Sequence, residues 1–157
     1  MVGRGALHYA VVMACPLCEV VARCERGEHP LVVGSLRETV VILGDNQGAR
    51  GWCTLVLREH CEHLAELPIE RQERVFGEVA RVAAAVRAAF GPVRINYECL
   101  GNVAPHVHWH VVPRHGDDPT PRATVWGWTA EQLRGDLSER ARVELAGRLA
   151  AALKVAD

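Results

Sequence analysis

The chain has little of what would announce a partner through bulk properties. Charge is nearly balanced, 18 Lys and Arg against 19 Asp and Glu for a net −1 over 157 residues. No broad cationic field is therefore available to draw nucleic acid or an anionic membrane, and any basic patch must be local. Long apolar runs are missing as well. The longest, Tyr9 to Ala14 ahead of Cys15, falls far short of the roughly 18 residues of a spanning helix. The N-terminal residues lack the small-residue cleavage site of a secretory signal. Repeats and low-complexity tracts are absent, so a single cytoplasmic domain over residues 1–157 is expected, with no membrane and no nucleic-acid polymer as partner.

Against this plain background stand eight His and six Cys. A chain with 49% apolar residues buries a core without staples, and its cysteines are irregularly placed, so reduced thiols, some of them on metal, fit better than a disulfide framework.

Punctuation along the chain predicts an α+β fold. Arg37 to Leu43 is β-branched and runs into Gly44-Asp45-Asn46-Gln47-Gly48, a strand followed by a turn, and Gly51 to Leu57 resumes an apolar strand. From Pro68 to Phe90 the apolar positions Val75, Phe76, Val79, Val82, Ala83, Val86 and Phe90 recur at spacings of three and four, which predicts a long helix stopped by Gly91-Pro92. Val93, Ile95, Tyr97 and Cys99 alternate with polar residues, and after Gly101 to Pro105 a second strand is predicted from His106 to Val112, pairing with the first as an antiparallel hairpin. Leu133, Leu137, Leu145, Leu149 and Leu153 predict helix in the tail. Locally paired strands around one long helix make the sheet antiparallel.

The chemistry concentrates in His106-Val107-His108-Trp109-His110-Val111-Val112. On a strand, Val107, Trp109 and Val111 turn to one face and the three histidines to the other. Neighbouring histidines would stand roughly 6.6 Å apart and the outer two roughly 13 Å. A pair could share a metal, but all three reach one ion only with difficulty, so at least two roles are implied. Cys15-Pro16-Leu17-Cys18 is the second constellation. By spacing alone it is a zinc chelate or a redox pair at a helix N-terminus, with Leu7 to Met13 as a strand before it.

His106-x-His108-x-His110 followed by two apolar residues resembles the signature of the histidine triad (HIT) family of nucleotide hydrolases and transferases. Asn96 to Asn102 before it, Pro113-Arg114 after it, and the Gly51 to Val56 run followed by His60 resemble the family's usual flanks. The resemblance covers about Cys15 to Trp126. It implies a HIT-like antiparallel sheet of about five strands with one long helix, a core over about 15–126 and a C-terminal helical extension over about 127–157. It also implies attack at the α-phosphorus of a nucleoside phosphate, of the dinucleoside polyphosphate or nucleoside phosphoramidate class. His108 would be the nucleophile and His110 a donor at the leaving group; neutral imidazole suits both tasks. Asn102 and Asn96 would contact phosphate or ribose, and Asp45 and Asn46 the ribose.

Where the family commonly has Gly-Gln-Ser/Thr, this chain has Gly101-Asn102-Val103. The leaving group therefore lacks that hydroxyl partner. In zinc-bearing branches the Cys-x-x-Cys pair is completed by a His after the Gly-rich strand and by the first triad His. That implies a structural zinc on Cys15, Cys18, His60 and His106, with His63 as the fallback because Glu59 stands where a basic residue often precedes the ligand. A homodimer is implied too. The alternatives are a nucleotide-binding module with little turnover and a zinc-dependent hydrolase that uses His106 and His108 as metal ligands.

Overall fold

The computed structural model describes residues 15–155. Helix α1 (Pro16–Glu25) is followed by strands β1 (Val32–Ser35), β2 (Thr39–Leu43) and β3 (Cys53–Leu57). Then come helix α2 (Ile69–Phe90), strands β4 (Arg94–Glu98) and β5 (His108–Arg114), and helices α3 (Ala130–Arg134) and α4 (Glu139–Val155). The strands form one antiparallel sheet in the order β1-β2-β3-β5-β4. The expected α+β class and the pairing of the two strands around the histidines are both observed.

Helix α2 starts just after Pro68, whose missing N–H costs nothing at that position, and ends at Gly91, where φ of 59° gives the left-handed cap a glycine adopts without strain. Its buried stripe is Val75, Val79, Val82, Ala83, Val86 and Ala89. Phe76 departs from the expected core face. It is 51% exposed and lies edge-on to Trp109 at 5.4 Å, at the border of the stripe. The tail is two helices rather than one, broken at Gly135 with φ of 66°. Ser138 Oγ then accepts from the Ala141 N–H to open α4.

One face of the sheet carries the main core. Val41, Leu43, Cys53, Leu55 and Val111 pack there against α2 and against Ala146, Leu149 and Leu153 of α4. At roughly 1.5–3 kcal/mol for each large aliphatic side chain fully buried, this layer dominates stability. Gly34 lets α4 close on β1, since a Cβ there would stand 3.2 Å from Leu153 Cδ2. On the opposite face α1 covers the β1–β2–β3 side, with Val21 and Cys24 on Val40 and Val56 and Val32 beside them. The far end is closed by Trp52, Val112, Val125 and Trp128. Between these two covers the histidine-bearing stretch of β5 is left to a cleft.

Candidate functional site

Alternation along β5 sends Trp109 and Val111 to the helical face and His108, His110, Val112 and Arg114 to the other. The strand begins at His108, two residues later than expected. His106 and Val107 form its approach: the Val107 N–H donates to Cys61 O at 2.7 Å and the Val107 carbonyl accepts from Leu57 N–H at 3.0 Å. Because His106 lies outside the strand, its ring is not held to the spacing of the other two.

That ring is 1% exposed. Its Nε2 lies 2.7 Å from Leu57 O; a carbonyl only accepts, so Nε2 carries the proton and Nδ1 keeps its lone pair. Nδ1 stands 3.4 Å from Cys15 Sγ and 3.6 Å from Cys18 Sγ. His60 Nδ1 is 3.4 Å from Cys18 Sγ. Ligand atoms of Cys15, Cys18, His60 and His106 all lie within 4.8 Å of one another. A tetrahedral zinc with bonds of about 2.3 Å to sulfur and about 2.05 Å to nitrogen would separate S from N by about 3.6 Å. The donor set therefore fits that ion in both chemistry and spacing. Cys15 precedes the first turn of α1 and Cys18 stands within it, where the helix dipole favours thiolates. Without a metal, burial and then neighbouring Cys15 push the Cys18 thiol up to about 11, opposite to what a redox thiolate needs. The strand suggested over Leu7 to Met13 lies outside the described residues, as does His8. His63 begins a short turn of helix at Leu64–Glu66 and is not part of the group.

His108 is held by its own backbone neighbourhood. Its Nδ1 donates to His106 O at 2.6 Å, which leaves Nε2 unprotonated in the neutral ring. A cleft of about 440 Å³ reaches it, lined also by His63, Cys99 and Asn102. His110 lies beside it, ring centroids 5.0 Å apart at 85°. His110 is enclosed by aromatics: Trp52 edge-on at 5.6 Å and Trp126 at 5.4 Å. Trp52 Nε1 lies 3.2 Å and Thr54 Oγ1 3.3 Å from His110 Nδ1. Burial, with a smaller contribution from His108, pushes the His110 pKa down to about 4, so the ring is neutral at pH 7.

Of the four polar residues expected to bind substrate, Asn102 alone lines the His108 cleft. Asn96 sits on β4 with Oδ1 accepting from Arg114 Nη1 at 2.9 Å. Asp45 and Asn46 lie in the β2–β3 loop, where the exposed Asp45 accepts at its carbonyl from Arg142 Nη1 at 2.7 Å. Of the residues that surround His110, sequence reasoning missed Thr54 and Trp52. Thr54 faces it through the pairing of β3 with β5, and Trp52 reaches it from just before β3. Arg114 was read only as a flank. Buried, it pairs with Asp118 at 2.6 Å, donates to Thr120 O and Ala123 O, and lies over Trp128. This fixes the segment that lays Trp126 against His110.

Known proteins resemble the chain in sequence and fold. The chain is 26% identical over 142 residues to Protein hit of Bacillus subtilis (strain 168), spanning 87% of this chain and 94% of that one. Among solved structures it resembles a histidine triad protein from Sinorhizobium meliloti 1021 (28% identity, TM-score 0.67, 80% of this chain and 91% of that one). It also resembles one from Marinobacter aquaeolei VT8 (26%, TM-score 0.70, 80% and 90%). A zinc-bound histidine triad family protein from Mycobacterium smegmatis shares the fold at 22% identity (TM-score 0.67, 92% and 99%). The HIT domain model matches residues 26–117, and the chain belongs to the HIT family, membership of which supports a nucleotide-binding hydrolase or transferase in general.

Proposed function

We propose that the protein cleaves a nucleoside phosphate at its α-phosphorus through a covalent nucleotidyl-histidine, with a dinucleoside polyphosphate or nucleoside phosphoramidate as substrate. The observation that carries this reading is the bond from His108 Nδ1 to the His106 carbonyl, which keeps the Nε2 lone pair available beside a neutral His110. In the first step His108 Nε2 forms the N–P bond as the bond from phosphorus to the leaving-group oxygen or nitrogen breaks. His110, protonated on Nε2, hydrogen-bonds that departing atom, which leaves as a phosphate anion or, if nitrogen, takes a proton from solvent and leaves as the amine. Water then attacks phosphorus, the N–P bond breaks to return neutral His108, and the water's proton passes to solvent. Charge grows on the phosphoryl oxygens, and Asn102, which lines the same cleft, is a candidate donor to them. Asp45 and Asn46 are the proposed ribose contacts. Asn96 contributes by fixing Arg114.

Cys15, Cys18, His60 and His106 would hold a zinc that, when bound, supplies a structural anchor. The four-ligand set is complete without His108, which disfavours a catalytic metal on His106 and His108. His106 serves the reaction through its carbonyl, since both its ring nitrogens are engaged. Homodimerisation is proposed through β4, at the end of the sheet, where Tyr97 is 50% exposed; a monomeric mass in sedimentation equilibrium would remove it.

The test of function is turnover of adenosine phosphoramidate and diadenosine polyphosphates by wild type and His108→Ala. A loss on the order of 10⁶-fold is expected, the size seen when a covalent nucleophile is removed, with a nucleotidyl adduct on His108 in the mass spectrum of the wild type. Unchanged turnover by the variant rules the mechanism out.

A further inference from the structure

Trp52 is 3% exposed, packed among Ala49, Val112, Val125 and Trp128, and its carbonyl accepts from Gly44 N–H and Gln47 Nε2, both at 2.9 Å. Its indole is thereby aimed with little freedom at His110 Nδ1, 3.2 Å away. An indole N–H can only donate, so the nitrogen it addresses must present a lone pair. The Thr54 hydroxyl on the same nitrogen donates or accepts and so does not choose between tautomers. The choice falls to Trp52. The titratable groups facing His110 are His108 on the same strand and, across β4, Glu98, whose carboxylate is taken by the Trp126 indole N–H.

We infer that Trp52 is a positioning residue whose indole N–H locks His110 in the neutral tautomer with its proton on Nε2, so that the imidazole meets the leaving-group atom as a donor. The donor role rests on the nucleotidyl-transfer reading; the tautomer does not. With the lock, His110 presents Nε2–H before substrate arrives and needs no rearrangement as charge develops.

Long-range ¹H–¹⁵N correlation spectra of the full chain at neutral pH test the tautomer, with the His110 ring assigned by its absence in His110→Gln. The wild type is expected to show Nε2 protonated, Nδ1 as acceptor, and a coupling across the hydrogen bond between Trp52 Nε1 and His110 Nδ1. Trp52→Phe keeps an aromatic ring without the donor, and is expected to move the tautomer ratio about fivefold toward Nδ1–H, the effect of losing one buried neutral hydrogen bond. Its kcat should fall in proportion to the fraction of His110 no longer protonated on Nε2, with KM unchanged. A wild-type ring protonated on Nδ1, or an absent cross-bond coupling, overturns the inference even if the variant fails to fold. So does an identical ratio in both proteins. A kcat that does not follow the Nε2–H fraction overturns the donor role alone, and inactivity of the wild type on every nucleotide would count against the parent reading while leaving the tautomer result intact.

Discussion

At one end of the histidine run, His106 lies among two thiols and a second imidazole, with its Nε2 proton given to the Leu57 carbonyl. At the other, His110 lies between two indoles, with an N–H directed at its Nδ1. The two rings are four residues apart in sequence and both are held neutral by burial, yet their neighbours engage them from opposite sides. An acceptor on Nε2 leaves His106 its lone pair on Nδ1; a donor on Nδ1 leaves His110 its proton on Nε2. His108, between them, has its Nδ1 proton taken by a carbonyl and keeps the lone pair on Nε2. Which nitrogen of each chemically identical ring offers a lone pair is set by which nitrogen the surroundings occupy.

The comparison breaks most severely at the metal end. If the Cys15, Cys18, His60, His106 group holds a structural zinc, its removal with a strong chelator should lower unfolding free energy by about 4 kcal/mol or more, the value for a ligand at a thousand times its Kd. Denaturant titration measures this, with zinc content read by atomic absorption. The His106 carbonyl that orients His108 should loosen with it, so turnover falls in step. A protein purified without zinc and no less stable than one given zinc would refute the metal anchor.

At the aromatic end the anchor is an ion pair. Asp118→Asn leaves the buried Arg114 guanidinium short of its counter-charge and should cost about 3 kcal/mol. Trp126 loses its support in the same variant, so its fluorescence should become more exposed. Protonation separates the ends more finely. Because the folded His110 pKa of about 4 lies below the ordinary 6.5, the unfolded chain binds more protons between those values and stability rises with pH across that window. Acidification from 6.5 to 4 should therefore remove up to about 2 kcal/mol from this site, allowing for the ring's partial exposure. His110→Gln should flatten that part of the profile; an equally steep profile in the variant would assign the loss elsewhere.

Much of this contrast was legible in the sequence because it depends on short-range pattern. Alternation placed His108 and His110 on one face and Trp109 and Val111 on the other, and three-and-four spacing located α2. Pairing across the sheet was not legible. Trp52 is 58 residues from His110 and reaches it only because Cys53 pairs with Val111; nothing local to Trp52 distinguishes it from another apolar strand residue. His106 left the strand because Val107 is bonded to Cys61 in a loop, a long-range contact. The Cys15–His106 separation of 91 residues was reached only through a resemblance, since the Cys-x-x-Cys spacing admitted a redox pair equally well. Phe76 failed a core expectation because a helical stripe has borders, and at its border an aromatic can pack edge-on to Trp109 while half its surface meets solvent.

The smallest expected effect sharpens the aromatic end most. Trp126 is 44% exposed, lies 5.4 Å from both Trp52 and His110, and donates its N–H to Glu98. Trp126→Phe keeps a ring against His110 and removes only that donor, so stability should fall by about 1 kcal/mol at most. Glu98, released, stands opposite His110 in the register of β4 and β5. A free carboxylate there favours the imidazolium, so the His110 pKa should rise from its depressed value and the acid limb of the pH–stability profile should shorten. An NMR titration of His110 in Trp126→Phe decides the matter: an unmoved pKa would mean that the indole contributes contact alone, and that burial under Trp52 suffices to keep the ring neutral.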